Sequence, residues 1–229
     1  MTGSCKIGSY IYKSICIIAA VYGCFTISEG LSTFTKFTTI SNIGIAVAVF
    51  IVLLDEIAVQ RGRAAKPSQG KYLFKFMMTV SILITFMLFL FILAPTNDKG
   101  FIGAYLNNSC GSLAHHFIAP LAAIIDFFVY DRAYIPKKSH VLFSMVVPAI
   151  YVIYIVILAG LGYRWPNGMY APYNFLNFGA PTGWWGFDVS IISSTTLGIG
   201  VAYLIVVLLL LFTLIGAGML ALKKRISHG

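Results

Sequence analysis

Two short segments carry residue types suited to acyl chemistry. Lys36-Phe37-Thr38-Thr39-Ile40-Ser41-Asn42 places hydroxyls and an amide within the first turns of an apolar run. His115-His116-Phe117-Ile118-Ala119-Pro120 places paired imidazoles just ahead of a proline. A threonine hydroxyl is a weak nucleophile until a base takes its proton, and histidine is the usual base. Because imidazole titrates near neutrality, it can return that proton to a leaving group. Backbone amides at a helix start, or Asn42 with Ser41 as polar support, can stabilise an oxyanion. The same residue types also serve as hydrogen-bond partners between membrane helices, and their identities alone leave both roles open.

Other chemistries have less support. Adjacent helical residues point about 100° apart, so His115 and His116 are poorly placed to share one metal ion, and only Glu29, Asp98 and Asp188 are acidic on their side of the chain. No metal or organic cofactor is expected. Cys5, Cys16, Cys24 and Cys110 show neither CxxC pairing nor zinc spacing. Cys16 and Cys24 lie in an apolar run and read as small hydrophobes, with a Cys24–Cys110 disulfide as the alternative for the second of them.

Composition says what must position these groups. Hydrophobic residues make up 59% of the 229-residue chain and charged residues 10%. A soluble domain carries about 25% charged residues, so this chain lacks the polar surface of a water-soluble globule. The net charge of +9 does not point to nucleic acid. The basic residues sit in short clusters between apolar runs, as membrane-flanking segments do, and no basic platform interleaved with aromatics is present.

Spanning the hydrocarbon takes about 20 apolar residues. Six runs approach or exceed that: 7–28, 38–58, 72–94, 113–130, 141–162 and 192–222. They are continuously apolar rather than alternating, which excludes an outer-membrane barrel and leaves helices that satisfy their own backbone. The expected fold is an all-α integral membrane protein forming a single six-helix domain over residues 1–229. Lys6 and Lys13 precede the first run in the manner of a signal peptide, but no small-x-small cleavage site follows, so a retained helix is expected.

Arg61, Arg63, Lys66 and Lys71 follow the second run, Arg132, Lys137 and Lys138 the fourth, and Lys223, Lys224 and Arg225 the sixth. The opposite side has only Lys36, Lys99 and Arg164. Positive residues favour the cytoplasm, which predicts cytoplasmic termini and puts Thr38, Thr39, His115 and His116 together near the outer face. Asp55, Glu56 and Asp126 lie toward the cytoplasmic side, where pairing with Lys75, Arg61 or Arg132 is expected, and Lys13 is expected to snorkel to that surface. The loop over about 163–190 is rich in aromatics and proline, including Tyr173, Phe175 and Trp184. It suits an interfacial belt or a binding lid.

The order Lys36-Phe37-x-Thr39-x-x-Asn42, then a histidine before Pro120, then Met169-Tyr170-Ala171-Pro172-Tyr173-Asn174-Phe175-Leu176-Asn177 resembles the androgen-induced-gene family of membrane hydrolases. That family includes the androgen-dependent TFPI-regulating protein and bacterial relatives, and this chain looks like the bacterial type. Ser194-Thr195-Thr196-Leu197 is similar to the family's entry to its final helix. The resemblance implies a six-helix threonine hydrolase of fatty acid esters of hydroxy fatty acids. Carried over, the nucleophile falls on Thr39, or on Thr38 by the bacterial spacing. The base falls on His116, or on His115 when counted from Pro120.

The expectation is therefore a lipid-ester hydrolase in the cytoplasmic membrane of a prokaryote. Thr39 and His116 react, with Thr38 and His115 as near alternatives, and Asn42, Ser41 and backbone amides give polar support. Phe117, Tyr173, Phe175 and Trp184 line an acyl-chain pocket. Membrane lipids and a lipid ester are the expected partners, no nucleic acid is expected, and the sequence does not set an oligomeric state. The alternative is a lipid-binding or small-molecule transport protein without catalysis.

Overall fold

The computed structural model describes residues 3–28, 30–63 and 66–228, with side chains from 7 to 226 within them. The side chains of Cys5 and Lys6, and Glu29 as a whole, lie outside the described residues. The chain folds as helices α1 (Gly3–Thr26), α2 (Phe37–Gln60), α3 (Gln69–Leu93), α4 (Gly100–Leu106), α5 (Gly111–Tyr130), α6 (His140–Gly160) and α7 (Val201–His228). Six of these, all but α4, are long and apolar enough to cross a membrane, so this is a multi-pass membrane protein with six candidate spans.

Five of the expected helices start and stop close to where the apolar runs do. The sixth differs. Residues 192–200, expected to open the last helix, are not helical, and α7 starts at Val201. Apolarity continues through Ile192 and Leu197, but Ser193 and Thr196 bond to each other across a tight turn, and Gly198 takes φ +70°. A left-handed glycine breaks a helix, since it suits a turn or cap rather than an interior. Ser194-Thr195-Thr196-Leu197 thus belongs to the preceding loop.

The chain divides into two compact units, Met1–Ser144 with Gly216–Gly229, and Met145–Ile215. In the second, the long loop holds itself with hydrogen bonds. Asn177 accepts from Tyr170 N and donates to Thr195 O, each at 2.9 Å. Tyr173 stacks on Phe175, Trp184 stacks on Phe178, and the Arg164 guanidinium lies 3.8 Å over the Tyr170 ring.

In the first unit, α1 packs on α2 and α5, and α2 packs on α3. Their shared apolar layer includes Cys16, Ala20, Ile45, Val49, Ile82 and Ala123. Small residues let these helices approach closely, as is usual in membranes. A Cβ on Gly23 of α1 would stand 2.7 Å from His115 Cβ and 3.0 Å from its Cα on α5. A polar layer lies on each side of the apolar one.

One polar layer is ionic. Lys13 Nζ lies 2.8 Å from Asp126 and 3.2 Å from Glu56. Lys75 pairs with Asp126 and also with Asp131, at 2.6 Å. Lys13, Lys75 and Asp126 are fully buried. Lys13 therefore does not snorkel to the surface, because three carboxylates, those of Asp126, Glu56 and Asp131, meet it inside. Lys75 is a partner of Asp126 as expected, whereas among the described residues Arg61 and Arg132 are not, and Asp55 pairs at the surface with Lys71. Burial pushes the Asp131 carboxyl up to about 6, against the pull of Lys75. The helix geometry explains the pairing. Residues 126–130 form a π turn in which Asp131 N donates to Asp126 O at 3.2 Å. Carboxylates five apart in a π turn stack on one side, where Lys75 reaches both.

Candidate active site

The second polar layer gathers the start of α2, the start of α5, and parts of α1, α3 and α4. It is built around an interruption in α5. Residues 114–118 form a π turn, and Ala119 N donates to Ala114 O. In that register the next donor, due to His115 O, is residue 120. Residue 120 is proline and has no N–H. The carbonyl of His115 is therefore left without a partner in its own helix, and Asn42 Nδ2 from α2 donates to it at 3.2 Å. Asn42 Nδ2 also donates to Thr38 O at 3.0 Å. Both partners are carbonyl oxygens, which fixes the orientation of the amide. Its donors are spent on this clamp, and Asn42 Oδ1 remains buried without a partner.

The clamp brings the expected residues onto facing helices. Thr39 lies three residues before Asn42, on the same face of α2. Thr39 is fully buried and its Oγ1 has no hydrogen-bond partner. Thr38 is half-buried, and its carbonyl accepts from Ser41 Oγ at 2.9 Å as well as from Asn42. Ser41, itself buried, thus braces the helix start.

The imidazoles diverge. His115 is buried against α1, with Nδ1 3.9 Å from Cys24 Sγ and Nε2 unpartnered. His116 lies flat on Phe89 of α3, ring centroids 3.8 Å apart and planes 10° from parallel. Its Nδ1 is buried and unpartnered. The two imidazoles meet edge to face at 5.0 Å. Among the described residues no three His, Cys, Asp or Glu side chains gather with metal-ligand spacing. Cys24 and Cys110 are both free, so they form no disulfide.

Around His116 lies an aromatic wall. Tyr105 of α4 meets Phe89 edge-on at 4.9 Å, and Phe117 meets Phe86 at 5.8 Å and Tyr105 at 6.0 Å. The Tyr105 hydroxyl is buried and has no partner, and burial raises its pKa, so it stays a donor. Tyr105 and Phe89 were not legible in the sequence, because neither stands in a polar cluster and α4 lies in what reads as a connecting segment. Of the other expected pocket residues, Phe117 lies in this wall, while Tyr173, Phe175 and Trp184 belong to the second compact unit.

The distribution of unsatisfied groups singles this layer out. Six buried side-chain polar atoms lack a hydrogen bond among the described residues. Five of them are Thr39 Oγ1, Asn42 Oδ1, Tyr105 OH, His115 Nε2 and His116 Nδ1. The sixth, on Asp131, is held in an ion pair with Lys75. Buried polar groups are ordinarily bonded, and leaving one unpaired costs about 1–3 kcal/mol. A concentration of them in one layer, at a π turn, is the pattern of a site arranged for a ligand or a reaction. The chain matches no protein-family model, curated protein or solved structure.

Proposed function

We propose that this protein is an intramembrane hydrolase of lipid esters, with Thr39 as nucleophile and His116 as general base. The observation that carries the reading is the group of unpartnered hydroxyl and imidazole atoms buried in one layer of facing helices. His116 takes the role of base because stacking on Phe89 fixes its ring while leaving Nδ1 free. His115 is tied through its carbonyl to Asn42 and serves as a spacer between α1 and α2.

In the first step the Thr39 hydroxyl gives its proton to His116 as its oxygen bonds to the ester carbonyl carbon. The amides of Thr38 and Thr39, placed in the first turn of α2 where the helix offers no acceptor, and the Tyr105 hydroxyl supply hydrogen bonds to the oxyanion. Asn42 is not a donor here, since both of its protons are engaged. The ester C–O bond then breaks, and protonated His116 returns the proton to the departing alcohol. Water repeats the sequence on the acyl-threonine, releasing the acid. The wall of Phe86, Phe89 and Phe117 suits an acyl chain. The substrate class that fits this setting, and the resemblance noted above, is a fatty acid ester of a hydroxy fatty acid or a similar lipid. The basic clusters favour a site near the outer leaflet of a prokaryotic cytoplasmic membrane. The apolar layer between the two polar ones argues against a transport path.

The test is hydrolysis of a fatty acid ester of a hydroxy fatty acid by the purified protein in detergent. Turnover that is lost in Thr39→Ala and in His116→Ala, but kept in Thr38→Ala, supports the reading. Equal turnover in all four proteins refutes it.

A further inference from the structure

The ionic layer opens on the side away from Thr39 into a cavity of about 490 Å³. That volume falls in the range of small-molecule sites. Its polar lining is Ser9, Tyr10, Glu56, Gln60, Lys66 and Arg132. Each of these groups can be assigned. Glu56 pairs from behind with Lys13 at 3.2 Å, a lysine it shares with Asp126, and accepts from Ser9 Oγ at 3.0 Å. Gln60 Oε1 accepts from Tyr10 OH at 2.5 Å, which leaves its NH₂ end as a donor. Arg132 donates through Nε to Val129 O at 3.3 Å, leaving its terminal nitrogens. Neither Arg132 nor Lys66 has a carboxylate partner among the described residues, and both are exposed to the cavity.

The cavity therefore offers a surplus of positive charge, a guanidinium able to bind two oxygens at once, and an amide donor. Its remaining wall is apolar and aromatic, with Val59, Pro67, Tyr72 and Tyr130. Charged donors combined with aromatic walls match an anion with several oxygens joined to a small organic group. We propose that this cavity binds a phosphate ester, carried either by a soluble metabolite or by a phospholipid headgroup. The site is separate from the hydroxyl–imidazole layer, and the proposal stands whether or not that layer is catalytic.

The experiment uses the full chain in dodecyl maltoside, in phosphate-free buffer at constant ionic strength. Thermal unfolding is followed during titration with glycerol 3-phosphate and, separately, with dioctanoyl phosphatidylglycerol. A ligand that binds the folded state raises the unfolding temperature. A saturable rise with either probe, absent with sodium chloride, is expected. A rise with both assigns recognition to the phosphate ester itself, and a rise with the lipid alone assigns it to a headgroup. Lys66→Gln/Arg132→Gln should weaken the apparent affinity by about tenfold or more, the scale of losing charge-assisted bonds. Val59→Trp, which fills the cavity and keeps every charge, should weaken it as well. Lys137→Gln/Lys138→Gln, which removes equal charge outside the cavity, should not. No saturable rise with either probe overturns the proposal. So does an undiminished rise in both the Lys66/Arg132 and Val59 variants.

Discussion

At the scale of single residues, the telling quantity is the free energy that Thr39 gives up. Its hydroxyl is fully buried and makes no hydrogen bond, which in a purely structural role would be a loss with nothing gained. Replacing it with the isosteric Val removes an unsatisfied polar atom and keeps the shape. Thr39→Val should therefore leave thermal stability unchanged or raise it by about 1 kcal/mol, while ester turnover falls by about a thousandfold or more. A clear fall in unfolding temperature would instead make Thr39 a structural bridge. Thr38, Thr39, His115 and His116 were legible in the sequence because polar residues are rare in apolar runs and stand out. Tyr105 and the stacking of His116 on Phe89 were not. They depend on which helices become neighbours, and the spacing along one helix carries no record of that.

At the scale of elements, irregularities in α5 do more than its regular turns. The π turn over 114–118 rests on Pro120, which has no N–H for the His115 carbonyl, and Asn42 supplies the missing donor. Pro120→Ala restores that N–H and lets the turn relax to α-helix, moving His115 and His116 relative to α2. The expected outcome is a protein of equal or higher thermal stability with greatly reduced turnover. Unchanged turnover would mean that the π turn does not position the imidazoles. The second π turn stacks Asp126 and Asp131 at Lys75. Asp126 bridges Lys13 and Lys75, so losing its charge breaks two buried pairs at once, and Asp126→Asn should destabilise the fold by about 3–5 kcal/mol, read as a large drop in unfolding temperature.

The sequence announced α5 as a span but not its two π turns, because a local change of register leaves the apolar pattern intact. It placed the start of the last helix too early for a related reason. Residues 192–200 are apolar enough to continue a span, and the local turn chemistry at Gly198 overrides them.

At the scale of the whole molecule, six apolar spans were readable from length and hydropathy alone, since the bilayer fixes both. The ionic layer was half readable. Asp126 and Lys75 were expected to pair, whereas Lys13 was expected at the surface and lies buried. The orientation expected from the basic clusters is directly measurable. Cys110 is exposed, Cys24 half-buried and Cys16 buried, so a membrane-impermeant maleimide added to intact cells should label Cys110, as located by peptide mass spectrometry, and Cys110→Ser should remove that label. Labelling of Cys110 only after the membrane is opened would reverse the topology and put the Thr39 layer on the inner leaflet.

The nucleophile is identified most directly by the site of covalent capture by a fluorophosphonate probe in intact membranes, located by peptide mass spectrometry. A Thr39 nucleophile activated by His116 gives an adduct on Thr39, lost in Thr39→Val and strongly reduced in His116→Ala. An adduct that persists in both variants, or that maps to another residue, would contradict it.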